Sequence, residues 1–547
     1  MSLTADQHHG ETGDRLDPKS FGEIKDESAL MSMRGRIDDS CRLPCLVFFA
    51  TATAWLVLGS LLALIASIKL HTPRFMDSAA WLTFGRVRPA HLDTVIFGWA
   101  SLAGIGVCLW LMCRLCRTTL RYPIMLVVAA VLWNVGVTVG TVAVLMGKST
   151  GVEWLEFPPY ATFFLFLAFG IVAIWAMFTF GQRAPGHVYV SQWYLFGALF
   201  WFPWLYATVQ ILIISGLVTG VAQASINWWF AHNVLGLWFT PIGLAAIYYL
   251  IPKVIGRPIH SYYLSILGFW SLALFYSWAG AHHFISGPAP AWLVTASIVG
   301  SVMMLIPVST VAINHHMTVR KHFAVLRYSP TLRFIVFGAM SYTLVSVQGS
   351  SMSVHIFNEP THFTHHTVAH AHLGLYAFFS MTMFGSMYYI VPRLTGREWS
   401  SSKLIRIHFW FAAIGIMMYW GLLTIGGFIQ GFEMNQASSP LGTLIDQHGF
   451  FSGLWEFFAG FKAKNGAVPW LAIVKDTLPW LLSRSISGTL MTIAHLAFGA
   501  LLLLNLTGWG RQRQGPTLFV ADAEGYHEAF RPAEDWTVPA EHEGDVA

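Results

Sequence analysis

The chain has 547 residues, 55% of them hydrophobic and only 11% charged, with a formal net charge of +5 and a mean hydropathy of +0.56. A soluble domain carries about 25% charged residues, so a water-soluble fold is excluded and the predicted class is an all-α polytopic membrane protein. The basic residues sit in loops between apolar stretches, so the lipid bilayer, and not nucleic acid, is the expected partner.

A helix crosses a bilayer with about 20 apolar residues. On that measure the sequence divides into about twelve spans: 44–69, 89–115, 121–146, 159–181, 190–219, 222–251, 259–286, 290–313, 331–354, 365–393, 405–432 and 484–508. Residues 1–40 form a polar N-terminal tail, 41–510 the membrane domain, and 511–547 a polar C-terminal tail, acidic near its end. The first apolar run begins near Pro44, and no cleavable signal peptide is expected. Cys113 and Cys116 have a CxxC spacing, but they close a membrane helix and lack the following histidine of a covalent haem site. They read as structural.

The connection 433–483 is an insertion. Its apolar pieces, Phe450-Phe451, Leu454-Trp455 and 469–474, are too short to span, so a re-entrant or surface-lying segment is expected.

Lys and Arg crowd the loops after the even-numbered spans, as in Arg114, Arg117 and Arg121, or Arg393 and Arg397. Positive charge stays on the cytoplasmic side, which places both termini there. Arg86 and Arg88, in the first outer loop, are the exception.

Six histidines then fall in the outer half of the spans: His91, His232, His282, His283, His370 and His372. Ionisable residues at such depth mark functional sites, and imidazole ligates iron and copper. Neighbouring residues on a helix differ by about 100°, so His282 and His283 can flank one metal ion. His232, from another helix, would complete a three-histidine site. Tyr276 lies seven residues before His283, nearly two turns, and so on that histidine's face. His370 and His372 point to nearly opposite sides, as a helix wedged between two haems requires. His91 can supply the second axial bond to one of them, and Arg88 is placed to pair with haem propionates. His355, His362, His365 and His366 lie in or beside the outer loop before the tenth span, and His315, His316 and His322 in a cytoplasmic loop. These, with His408 and His495, read as solvent-facing, packing or propionate-side residues.

Together, Arg88-Pro-Ala-His91, Trp228-Trp-Phe-Ala-His232-Asn, Tyr276-Ser-Trp-Ala-Gly-Ala-His282-His283, His370-Ala-His372 and Val391-Pro-Arg-Leu-Thr-Gly-Arg397-Glu carry a family resemblance. Over residues 40–432 and 484–508 the chain resembles the catalytic subunit I of haem-copper oxygen reductases, most closely the cbb3-type cytochrome c oxidase. The resemblance implies copper on His232, His282 and His283, with Tyr276 as the active-site tyrosine covalently joined to His232. It implies a high-spin haem on His370 and a low-spin haem on His91 and His372, both b-type. It further implies membrane-anchored c-type cytochrome subunits as electron donors, O2 reduced to water with proton uptake and pumping, and a bacterial inner membrane. Nitric oxide reductase shares the histidine pattern but typically places a glutamate one turn after the first metal histidine; here that position is Gly236. Tyr262, Ser265 and Tyr276 lie near one face of the seventh span and mark an expected proton route. Gln348 departs from the acidic residue that relatives often carry in the ninth span.

Overall fold

The computed structural model describes residues 27–186, 188–435, 441–463, 469–513, 517–518 and 531–532. Eleven helices among these are long and apolar enough to cross a membrane. In chain order they are α1 (Glu27–His71), α2 (Phe84–Cys116), α3 (Pro123–Leu145), α4 (Pro159–Gly181), α5 (Val190–Ile214), α6 (Gly220–Ile255), α7 (Tyr262–Tyr276, continued to Phe284 by a broken turn), α8 (Ala291–Val319) and α9 (Pro330–Met352). The helical stretch 365–395, α10, supplies the tenth expected span and brings the total to twelve, and α11 (Ser402–Met434) follows. Two short helices, α12 (Leu441–His448) and α13 (Phe450–Ala463), precede the last long one, α14 (Trp470–Leu506).

Burial separates the centre of the bundle from its rim. In the most apolar stretch of α2, 94% of residues are buried, and in α6 89%, against 39% in α4. From Ala377 to Pro392 every residue of α10 is buried. These three helices carry His91, His232, His370 and His372, so four of the six histidines stand on the most buried helices, while His282 and His283 belong to the less buried segment Tyr262–Phe284. Indole hydrogen bonds tie them together: Trp99 donates to Ser380 Oγ at 2.8 Å and Trp238 to Ser101 Oγ at 3.3 Å. A polar group in hydrocarbon must find its partner inside the protein, and these pairs meet that need.

Each of these three helices is locally wound as π-helix just beyond its histidine: Thr94–Ala100, Leu235–Phe239 and Leu373–Ser380. A π-turn leaves carbonyls without their usual partner and is common at functional sites. Neighbours take those carbonyls up, since Trp133 Nε1 donates to Phe97 O at 2.7 Å and Ser380 Oγ to Leu375 O at 2.8 Å.

Three expectations are refined. The end of the polar tail 1–40 is helical, since α1 already begins at Glu27. In the insertion 433–483, 469–474 is not re-entrant but opens the 37-residue helix α14. Ahead of it α12 and α13 fold onto α11 and α14 through Leu441, Leu444, Phe457 and Ile473. Third, His315 and His316 belong to α8, not to a loop. Most of 511–547 lies outside the described residues; the part next to α14 is held by Glu398, whose backbone N–H donates to Arg511 O at 3.0 Å.

Candidate active site

The three histidines expected to hold copper converge. His232, His282 and His283 each offer a ring nitrogen, all within 4.8 Å of one another. The route to that cluster differs from the helical one expected. α7 ends at Tyr276, and His282 and His283 sit in a 3₁₀ turn, Ala281–Phe284. The break is made at Gly280, whose φ of +111° suits glycine. A Cβ there would also lie 2.9 Å from Trp228 O and 3.2 Å from His232 Cβ. The bend turns both histidines toward His232 instead of letting them follow the helix.

The rings are held from behind. His282 Nδ1 lies 2.8 Å from Ser301 Oγ, and the His282 backbone N–H donates to Ser297 Oγ at 2.9 Å. His283 stacks on Trp228 with centroids 4.2 Å apart. Ligand histidines are oriented by the partner of their second nitrogen, so Ser301 is a residue that spacing alone did not show. Tyr276 stacks on His232, centroids 4.7 Å apart and planes within 28°. A Cβ on Gly236 would fall on the Cε1 and Cζ atoms of that phenol.

His370 and His372 point to different sides, as their spacing requires. His372 faces a largely apolar cavity, lined also by His91, Tyr419 and Arg484. His370 faces the other way, toward α9, where a Cβ on Gly349 would lie 3.0 Å from its Cε1. His91 Nδ1 is 2.9 Å from Gly59 O and His372 Nδ1 2.9 Å from Val368 O. Both rings thereby turn Nε2 toward the cavity, although Tyr419 Oη stands 3.3 Å from Nε2 of His372. The donor chemistry fits the expected groups: three convergent imidazoles suit copper, and two anchored imidazoles across an apolar cavity suit a haem.

Arg88 pairs with Glu153 at 2.8 Å and Glu156 at 3.7 Å. The cation lining the cavity is Arg484, whose buried Nε has no hydrogen-bond partner. An arginine in an otherwise apolar span was the available signal for it.

On the proton side the structure regroups the expected residues. Asn314 Nδ2 donates to Ser265 Oγ at 2.8 Å and reaches Tyr248 Oη at 3.4 Å. Tyr248 meets His315, centroids 4.4 Å apart, and Tyr342 of α9 is buried against Phe378. Tyr262 is turned away, its hydroxyl donating to Val188 O at 3.0 Å. Asn314, Tyr248 and Tyr342 come from other helices, so a search along the seventh span missed them.

Three histidines read as packing residues prove to be hydrogen-bonded ones. His495 has Ser60 Oγ at 2.5 Å and Tyr376 Oη at 2.8 Å, and His408 has Tyr388 Oη at 2.9 Å. The Gln348 amide lies 3.0 Å from His366 Nε2 and accepts from Trp420 Nε1 at 3.0 Å.

Comparison with known proteins agrees with this geometry. The profile of the family described as "Cytochrome C and Quinol oxidase polypeptide I" matches residues 44–490. The "Cbb3-type cytochrome c oxidase subunit CcoN1" of Stutzerimonas stutzeri is 30% identical over 431 residues, 77% of this chain and 90% of that one. The "Cytochrome c oxidase subunit 1 homolog, bacteroid" of Bradyrhizobium diazoefficiens is 31% identical over 402 residues, 72% of this chain and 73% of that one. A solved haem-copper terminal oxidase dimer shares the fold with a TM-score of 0.64 at 15% identity, over 91% of this chain and 89% of that one. The chain therefore belongs to the cytochrome c and quinol oxidase polypeptide I family, and its resemblance runs to the cbb3-type subunit I.

Proposed function

We propose that this chain is the catalytic subunit of a terminal respiratory oxidase, reducing O2 to water with electrons from membrane-anchored c-type cytochrome subunits and coupling this to proton uptake and translocation. Its setting would be a bacterial inner membrane with both termini cytoplasmic. His232, His282 and His283 would hold one copper ion, His370 the iron of a high-spin b-type haem, and His91 with His372 that of a low-spin one. When bound, these groups supply the electron path and the redox centre where oxygen binds.

The protein's own part is positional. Ser301 and Trp228 orient two of the three imidazoles. Tyr276, stacked on His232, puts a phenolic proton and a readily oxidised ring beside the cluster. The Ser265–Asn314–Tyr248 group can pass protons toward it from the opposite end of the bundle, with Tyr342 next in line.

The observation that carries the reading is the space shared by Tyr276 and Gly236. A carboxylate one turn after His232, the extra ligand hard iron favours, has no room while the phenol is there. Metal analysis of the purified protein, with oxygen uptake from reduced cytochrome c, is the test. Copper with two b-type haems and oxygen consumption are expected; iron without copper, together with turnover of nitric oxide, would overturn the reading.

A further inference from the structure

We infer that the aromatic face formed by α13 and the first turns of α14 is a docking surface for the electron-donating subunit, a protein bearing a c-type haem. The inference rests on the function proposed above. Its basis is an excess of helix length over membrane thickness.

α11 has 33 residues and α14 has 37, about 50 and 55 Å at 1.5 Å per residue. The hydrocarbon core is about 30 Å thick. Even at the usual tilt of ~20°, each helix overshoots it by roughly 15–20 Å. Exposed Lys403 and Arg406 hold the far end of α11 out of the hydrocarbon, so the excess lies at the histidine-bearing end. There α1 has already ended: His71 Nε2 lies 2.9 Å from Ser485 Oγ, and residues 470–484 of α14 rise beyond it. Lys475 is exposed on this raised stretch.

The hairpin α12–α13 caps this mast, and its two helices differ in what they expose. α12 shows Thr443, Asp446, Gln447 and His448. α13 shows Phe450, Phe451 and Trp455, which are 60%, 83% and 76% exposed, and α14 adds Trp470 and Leu471, each 64% exposed. The four aromatic side chains alone leave on the order of 500 Å² uncovered, a size that marks an interaction site. The hairpin already has its own core in Leu441, Leu444, Phe457 and Ile473, so these rings are not needed for its packing.

Height argues against lipid as the occupant, since acyl chains do not reach rings standing above the hydrocarbon. Clustered Trp and Phe with little charge is the composition of a protein interface core. Position points to the electron donor. The two long helices that carry the hairpin, α11 and α14, line the His91–His372 cavity through Tyr419 and Arg484, and Trp470 lies fourteen residues, ~21 Å, along α14 from Arg484. A donor seated here is held over the site that would receive its electrons.

The test uses the full complex in native membranes, with a photo-crosslinking residue in place of Phe451. The expected adduct is a polypeptide that stains for covalently bound haem; a lipid adduct, or one with a second copy of this chain, overturns the inference. In parallel, Phe451→Asp with Trp455→Asp should slow reduction of the b-type haems by the protein donor roughly tenfold or more, as loss of aromatic hot spots does. Dithionite reduction and the carbon monoxide difference spectrum should stay unchanged. An unaltered donor rate with the haem-bearing subunit retained overturns the docking site. Absence of any carbon monoxide spectrum in the wild-type protein would instead sink the functional reading.

Discussion

The phenol of Tyr276 occupies the volume that any side chain on Gly236 would need. One residue therefore limits the identity of the other across two helices, and no larger side chain fits at position 236 while the phenol is there. Gly236→Ala should overpack this site at a cost of about 1–3 kcal/mol and push the phenol off His232. Lower thermal stability and a loss of oxygen turnover of roughly tenfold or more are expected; an unchanged melting curve and rate would show that the ring yields freely.

The metal cluster gives a graded prediction. His282→Ala or His283→Ala should abolish copper binding and oxygen uptake while both haems remain in the optical spectrum. Ser301→Ala keeps all three ligands but frees His282 Nδ1, now 2.8 Å from the hydroxyl. Loss of such an orienting partner costs about 10–100-fold in metal affinity. Competition with a copper chelator measures it, and full retention in the alanine variant would remove Ser301 from the site.

Stacking of His232 on Tyr276 suits the covalent bond between them that the family resemblance implies. Mass spectrometry of peptides from active enzyme should find the two segments joined and lighter by two hydrogens. Recovery of both peptides unlinked from fully active protein would exclude the bond.

The proton route can be divided by substitution. Tyr248→Phe and Asn314→Ala break the group around Ser265 and should slow turnover by on the order of 10²-fold, the lower end of what a positioned proton donor contributes. Tyr262→Phe should leave turnover unchanged, because that hydroxyl is spent on Val188 O. The reverse ranking would restore Tyr262 to the path.

Outside the membrane, burial pushes the Glu156 carboxyl up to about 7 from its ordinary 4.5. The folded chain then holds the proton more tightly than the unfolded one, so stability is greatest below about 4.5 and falls as pH rises through about 7. A melting temperature that declines between pH 5 and pH 8 is expected, with the decline flattened in Glu156→Gln. The same slope in both proteins would assign it to another group.

Much of this was legible in the chain because the membrane leaves few choices. Hydrocarbon forces continuous apolar helices, so the spans and the class follow from composition, and the depth of His91, His232, His370 and His372 follows from their place in those spans. The two-residue step between His370 and His372 sets their rings on opposite sides of α10 wherever that helix packs. Other features depended on what lies across a helix interface. Beyond the end of α7, Gly280 turns the chain toward His282 where Trp228 and His232 of α6 leave no room for a Cβ. Arg88 finds Glu153 and Glu156, some sixty-five residues away in sequence, while Arg484 comes to line the cavity. Asn314 and Tyr248 join Ser265 only through the packing of three helices.

The sequence by itself determined the membrane class, the spans and the set of candidate ligands, since these depend on hydrophobicity and on steps along one chain. The tertiary structure alone decided which rings meet, which cation faces the cavity and why position 236 is a glycine. Those are contacts between helices, and close packing between helices is not a property of any one segment.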